Sequence, residues 1–91
     1  VIGHNSRVYT GTIICGGTIV GGTVIIRDNC FIGINSTICQ HVQIGTNVIV
    51  GAGSVVIEDI PDKDIVAGVP AKSIKDKCKL TPEERFRMVG Y

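Results

Sequence analysis

Residues 2–7 read Ile2-Gly3-His4-Asn5-Ser6-Arg7, IGHNSR, and the same plan returns as IRDNCF (26–31), IGINST (32–37), ICQHVQ (38–43) and IGTNVI (44–49). Every sixth position from Ile2 to Val56 is Ile or Val, ten times in succession, although only 27 of the 91 residues are Ile or Val. Composition alone does not produce that run, so a repeat is the first thing to test. Four places after each aliphatic stand Ser6, Thr12, Thr18, Val24, Cys30, Ser36, Val42, Val48, Ser54 and Ile60, nearly all small or β-branched. Three places after each stand Asn5, Gly11, Gly17, Thr23, Asn29, Asn35, His41, Asn47, Gly53 and Asp59. Gly and Asn fill seven of those ten, and both tolerate positive φ.

A helix needs apolar residues about every 3.6 positions, and a lone amphipathic strand alternates by two. A period of six fits neither. It predicts short strands joined by tight corners, three hexads to a triangular coil and eighteen residues per coil. Coils then stack as parallel strands about 4.8 Å apart. Ile2, Val20, Ile38 and Val56 fall in one column. The hexads from Ile2 to Val55 make three coils. After Val56 the repeat decays: Ile60 to Asp64 reads as a turn-rich link, Ile65 to Ala67 as one last strand, and Gly68 to Lys72 as a loop. Thr81-Pro82-Glu83-Glu84 is a helix start, with Thr at the cap, Pro at the first helical position and Glu following. The predicted organisation is an all-β parallel β-helix with its terminal loop over 1–75, three to four coils. A tail over 76–91 follows, with a short helix running to about Val89.

At 91 residues the chain is one domain at most. Its formal net charge of +1 leaves no electrostatic footprint for nucleic acid or an anionic membrane. There is no Trp for a base-stacking platform. No apolar run is long enough for a membrane span, and none reads as a signal peptide. The chain opens with Val and is in register by residue 2, which predicts a preceding N-terminal portion. Cys15, Cys30, Cys39 and Cys78 form no C-x-x-C pair and read as reduced thiols of a cytoplasmic protein. Outward-facing Tyr9, Ile13, Ile19 and Ile25 predict side-by-side packing into a closed ring, most simply a homotrimer.

The hexads, together with VGAGSVVIEDIP (50–61) and AGVPAKSIK (67–75), resemble the hexapeptide-repeat acyltransferases. The match runs from Gly3 to about Lys75, and repeat plus terminal G-x-P-A-K loop is specific for that superfamily. The resemblance implies a left-handed coil, an exception to the usual crossover hand. GHN (3–5), unbroken hexads and NCFIGINSTI (29–38) look most like the nucleotide-sugar acetyltransferases of sialic acid and bacillosamine pathways. That branch usually carries an N-terminal sugar-nucleotide-binding domain before the coils.

Of the two histidines, His41 holds a corner position that Asn or Gly fills elsewhere, and reads as a turn residue. His4 stands one place earlier, where other hexads carry Gly16, Gly22, Asp28, Ile34, Gln40, Thr46 and Ala52. No backbone requirement calls for His there, and from the residues alone it reads equally well as a surface side chain. The resemblance implies that His4 is the general base. Imidazole, with an unperturbed pKa of about 6.5, suits that role near neutral pH. A thioester is already activated, so positioning, one base and an oxyanion donor suffice. Gly22, eighteen residues on, is where the family places the acetyl oxygen. The family's acidic neighbour of the base is replaced by Asn5, which can orient an imidazole without raising its basicity. The column Gly16, Ile34 and Ala52 lacks charge and bulk, as a groove for a pantetheine arm would. Simple turn chemistry explains its glycines equally well. The resemblance implies that Lys72 and Lys75 meet the phosphates of coenzyme A. His4 and that column lie on different corners, so a shared site would form between subunits.

The function these features imply is acetyl transfer from acetyl-CoA to an amino or hydroxyl group of a sugar or nucleotide-sugar, without a metal. A γ-carbonic-anhydrase-like metal site needs three imidazoles, and the chain has two histidines at unlike positions. The rival reading is a non-catalytic trimerising β-helix, a degenerate acyltransferase.

Overall fold

The computed structural model describes residues 1–75. The strands are short, as a corner every six residues demands. They are β1 (Arg7–Val8), β2 (Ile13–Ile14), β3 (Ile19–Val20), β4 (Ile25–Ile26), β5 (Phe31–Ile32), β6 (Thr37–Ile38), β7 (Gln43–Ile44), β8 (Ile49–Val50), β9 (Val55–Val56), β10 (Ile65–Ala67) and β11 (Lys72–Ser73). Every third strand pairs, giving three sheets ordered β1-β4-β7, β3-β6-β9 and β11-β10-β8-β5-β2. Pairing is parallel with partners eighteen apart, such as Arg7 with Ile25 and Ile38 with Val56, and Ile2 bridges to Val20. The chain is a β-solenoid of about three turns, as the period of six predicts.

The column aliphatics close the core: Val20, Ile26, Ile32, Ile38, Ile44, Val50 and Val56 are at most 1 % exposed. Burying each such side chain contributes about 1.5–3 kcal/mol. The small residues also point inward, and Thr18, Ser36 and Ser54 are buried polar groups. Their hydroxyls complete the backbone ladder at the bends. Ser6, Thr18 and Ser36 donate to the carbonyls of Gly21, Gly33 and Gly51, at 2.7, 2.9 and 3.1 Å. The Cys30 thiol donates to the Gly45 carbonyl in the same geometry, at 3.0 Å. A hydroxyl or thiol is therefore chosen where an apolar side chain would leave a buried carbonyl without a donor.

Each corner turns on a residue with positive φ: Asn5, Gly11, Gly17, Thr23, Asn29, Asn35, His41, Asn47 and Gly53. These are the nine positions read from the repeat up to Gly53. Eight are Gly, Asn or His, which tolerate this region. Thr23, at φ 59°, is β-branched and pays about 1–3 kcal/mol for the conformation.

Beyond Val56 the structure departs from the expected decay. The coil shortens by two residues and the period of six resumes: Ile60 bridges to Ile44, and β10 pairs with β8 through Ile65–Ile49 and Val66–Val50, sixteen apart. Ile60 thus takes an aliphatic place in the core rather than a small-residue place. Lys63, at φ 62°, is the corner that follows Asn47, its N–H bonded to the Thr46 carbonyl at 2.8 Å, while Asp59, expected to turn a corner, is not among the residues with positive φ. The reason lies in two carboxylates. Asp59 accepts the Gln43 N–H at 2.9 Å and Asp62 the Thr46 N–H at 2.8 Å. Side-chain oxygens here serve donors of the preceding coil. After Gly68 and a cis Val69–Pro70 bond the chain turns back, and β11 pairs antiparallel with β10. Lys72 therefore lies in a strand, where a loop was expected. The expected helix from Thr81 to Val89, and Cys78, lie outside the described residues.

Candidate active site at one edge of the solenoid

The corner geometry decides which groups face outward. At each edge the positive-φ residue donates its N–H to the carbonyl of the residue one coil earlier and one place back: Thr23 to His4 at 2.8 Å, His41 to Gly22 at 3.0 Å. The His4 backbone is thereby fixed in the ladder while its side chain remains exposed. Residues eighteen apart share the edge, which reads His4–Asn5, then Gly22–Thr23, then Gln40–His41. Gly22 stands one rung, about 4.8 Å, above His4. Its N–H meets no acceptor among the described residues, and a Cβ there would lie 3.4 Å from the His4 carbonyl oxygen. The edge thus presents an imidazole and an open amide donor together.

Asn5 is exposed, with φ 61°. Among the described residues no hydrogen bond joins its side chain to His4. His41 behaves as its position predicts, turning the chain at φ 64°.

The edge holding Gly16, Ile34 and Ala52 is built the same way, with Asn35 donating to Gly16 at 3.0 Å and Gly53 to Ile34 at 2.8 Å. A Cβ on Gly16 or Gly53 would meet nothing within 4 Å, and Ile34 is 37 % exposed. This edge is open and uncharged. Gly68 continues its line, its carbonyl accepting the Val55 N–H at 3.0 Å. Further on, Lys72 Nζ lies 3.7 Å from Glu58 Oε1, both side chains exposed. Such a pair contributes little and leaves the ammonium accessible. Lys75 is exposed as well. The β3-β6-β9 sheet separates this edge from the His4 edge, so one chain does not bring His4 together with Ile34 and Ala52.

Two other features lie away from His4. A cleft of about 640 Å³, lined by Arg27, Gln43, Thr46, Asp59 and Asp62 among others, has no lining residue on the His4 edge. Cys15, Cys30 and Cys39 are free thiols. Burial pushes the Cys30 pKa up, which keeps the thiol protonated as the donor the interior requires. Reading hexads one at a time missed that Thr23, Gln40 and His41 share the His4 edge. Adding eighteen to the numbers of His4 and Asn5 finds them.

The family model described as Bacterial transferase hexapeptide (six repeats) matches residues 23–58. A 2,3,4,5-tetrahydropyridine-2,6-dicarboxylate N-acetyltransferase of Clostridium perfringens is 47 % identical over 60 residues, covering 66 % of this chain and 25 % of that protein. Among solved structures, a mutant perosamine N-acetyltransferase from Caulobacter crescentus, in complex with CoA and GDP-perosamine, superposes with a TM-score of 0.75. It is 33 % identical, over 78 % of this chain and 34 % of that one. A mutant of AntD, an N-acyltransferase from Bacillus cereus with dTDP-4-amino-4,6-dideoxyglucose and coenzyme A, gives 0.72 at 32 % identity, over 77 % and 51 %. The chain spans about a quarter of the curated relative's length. Among the described residues no helix is long and apolar enough to cross a membrane. The six-residue period, the triangular coil and these likenesses together place the chain in the hexapeptide-repeat acyltransferase superfamily.

Proposed function

We propose that this chain is the repeat portion of an acetyl-CoA-dependent N-acetyltransferase that transfers the acetyl group directly to its acceptor. The observation that carries the reading is the exposed His4 imidazole one rung below the open Gly22 amide. His4 takes a proton from the acceptor amine as its nitrogen attacks the thioester carbonyl. The Gly22 N–H stabilises the oxyanion, and collapse expels the thiolate of coenzyme A. Asn5 borders the base. The pantetheine arm runs along Gly16, Ile34 and Ala52 of a neighbouring copy, with Lys72 and Lys75 meeting the phosphates. Because those residues lie on another edge, the working unit is a homotrimer with a site at each junction. The free thiols of Cys15, Cys30 and Cys39 support a reducing, cytoplasmic setting.

The acceptor is read as the amino group of a nucleotide-linked sugar, which the complexes with GDP-perosamine and dTDP-4-amino-4,6-dideoxyglucose favour. The curated relative's name favours a second acceptor, a tetrahydropyridine dicarboxylate. Offering both acceptors to the full-length protein with acetyl-CoA separates them. His4→Ala should lower transfer by about 10²–10⁴-fold while coenzyme A binding persists. Unchanged transfer would remove His4 from the mechanism. A well-folded protein that binds no coenzyme A would favour the scaffold reading, for which Asn5 in the acidic position is the main support.

A further inference from the structure

Two kinds of threonine occur in this solenoid. Thr12 and Thr18 point their hydroxyls at the carbonyls of Arg27 and Gly33, and so serve the fold. Thr23 does not. It is exposed, and its hydroxyl has no hydrogen-bond partner among the described residues. Its backbone holds φ 59°, a conformation that costs a β-branched residue and that Gly, Asn or His occupies at the other eight repeat corners. The fold therefore gains nothing from Thr at this corner that Asn or Gly would not supply, and loses stability by it. Residues kept in such conformations gather at functional sites. Thr23 sits beside the open Gly22 amide, and its own N–H holds the His4 carbonyl at 2.8 Å.

We propose that the Thr23 hydroxyl binds the acyl donor, hydrogen-bonding the first amide of its pantetheine arm. The inference rests on the acetyl-transfer reading. With the thioester carbonyl at the Gly22 N–H, the next polar group of the donor is the amide two carbons beyond sulphur. It lies within a few ångströms of the reacting centre, where the adjoining residue can reach it. The acceptor approaches from the other direction, at His4 and Asn5 in the coil below.

The test uses the full-length protein that carries this chain. Thr23→Val keeps the shape and removes the hydroxyl; Thr23→Ser keeps the hydroxyl; Thr23→Gly relaxes the backbone and removes it. Coenzyme A binding is measured by calorimetry, the KM of each substrate by steady-state kinetics, and the melting temperature alongside. Val and Gly should weaken coenzyme A binding and raise the donor KM by about fivefold to tenfold, with the acceptor KM unchanged. Ser should stay within about twofold of the parent, and Gly should melt no lower than the parent. Val or Gly binding coenzyme A as the parent does overturns the inference and leaves the acetyl-transfer reading standing. So does a change confined to the acceptor KM. A parent protein that binds no coenzyme A overturns both. Should Thr23→Val fail to fold, Thr23→Gly decides alone.

Discussion

A Cβ on Gly22 would meet the carbonyl oxygen of His4 at 3.4 Å and little else. Gly22 is not one of the corners with positive φ, so the fold tolerates alanine at this position. An approaching oxyanion would not, because the methyl stands beside the open Gly22 amide, one rung from His4. Gly22→Ala should therefore melt within about 2 °C of the parent while acetyl transfer falls at least about tenfold. A variant of parental activity would move the oxyanion donor elsewhere.

Gly33 presents the opposite case. A Cβ there would lie 2.5 Å from the Ala52 nitrogen and 2.7 Å from its Cα, backbone atoms of the next coil that cannot rotate away. The coils would have to separate locally. Gly33→Ala should destabilise by about 1–3 kcal/mol in a denaturant titration. No loss of stability would mean that the coils stack less tightly than 2.5 Å implies.

The Cys30 thiol has its pKa raised by burial, against weaker lowering by hydrogen bonds. A folded-state pKa above the unfolded value means stability that is intact below the ordinary thiol value of about 9 and lost as pH rises through the folded one. The parent should lose stability above that pH in steps that Cys30→Ser does not show, since serine fills the same inward place at residues 6, 36 and 54. Equal alkaline slopes in the two proteins would count against this.

Ile19 in β3 and Ile57, the residue after β9, are 53 % and 50 % exposed, and β3 and β9 belong to the sheet that separates the His4 edge from the Gly16–Ala52 edge. If copies pack side by side there, each supplies one edge of a shared groove. Sedimentation should give three times the 9.6 kDa chain mass. Ile19→Glu should lower that mass and abolish coenzyme A binding together. A monomer that binds coenzyme A would refute the shared groove.

The solenoid was legible because its rule is strict: Val20, Ile38 and Val56 line up by counting, and so do the corners at Asn29, Asn35 and Asn47. The shortened coil was not legible. Asp59 and Asp62 replace backbone partners with side-chain oxygens, and that substitution leaves no trace in a hydropathy period. Ile60 was consequently given a small-residue place, and Asp59 a corner that it does not turn. His4 could be singled out because no structural rule required it. The strain at Thr23 emerged only when its φ was set beside those of eight permissive residues. In the proposed function the second edge of the site comes from a neighbouring copy, and one chain's sequence can specify that only through the chemistry of its exposed faces.

A stack of parallel coils is a template for its own extension. The rim of its last turn offers amides and carbonyls that any extended segment could join, as in a growing fibre. This chain spends its final described residues closing that rim. Ile60 occupies the row above β7, exchanging bonds with Gly45 and Gln43. Gly68 and Ala71 occupy the row above β9, through Val55. Over β10 the reversed β11 lies antiparallel, headed by Lys72. Among the described residues, the reversal makes this end of the solenoid a terminus rather than a growth point.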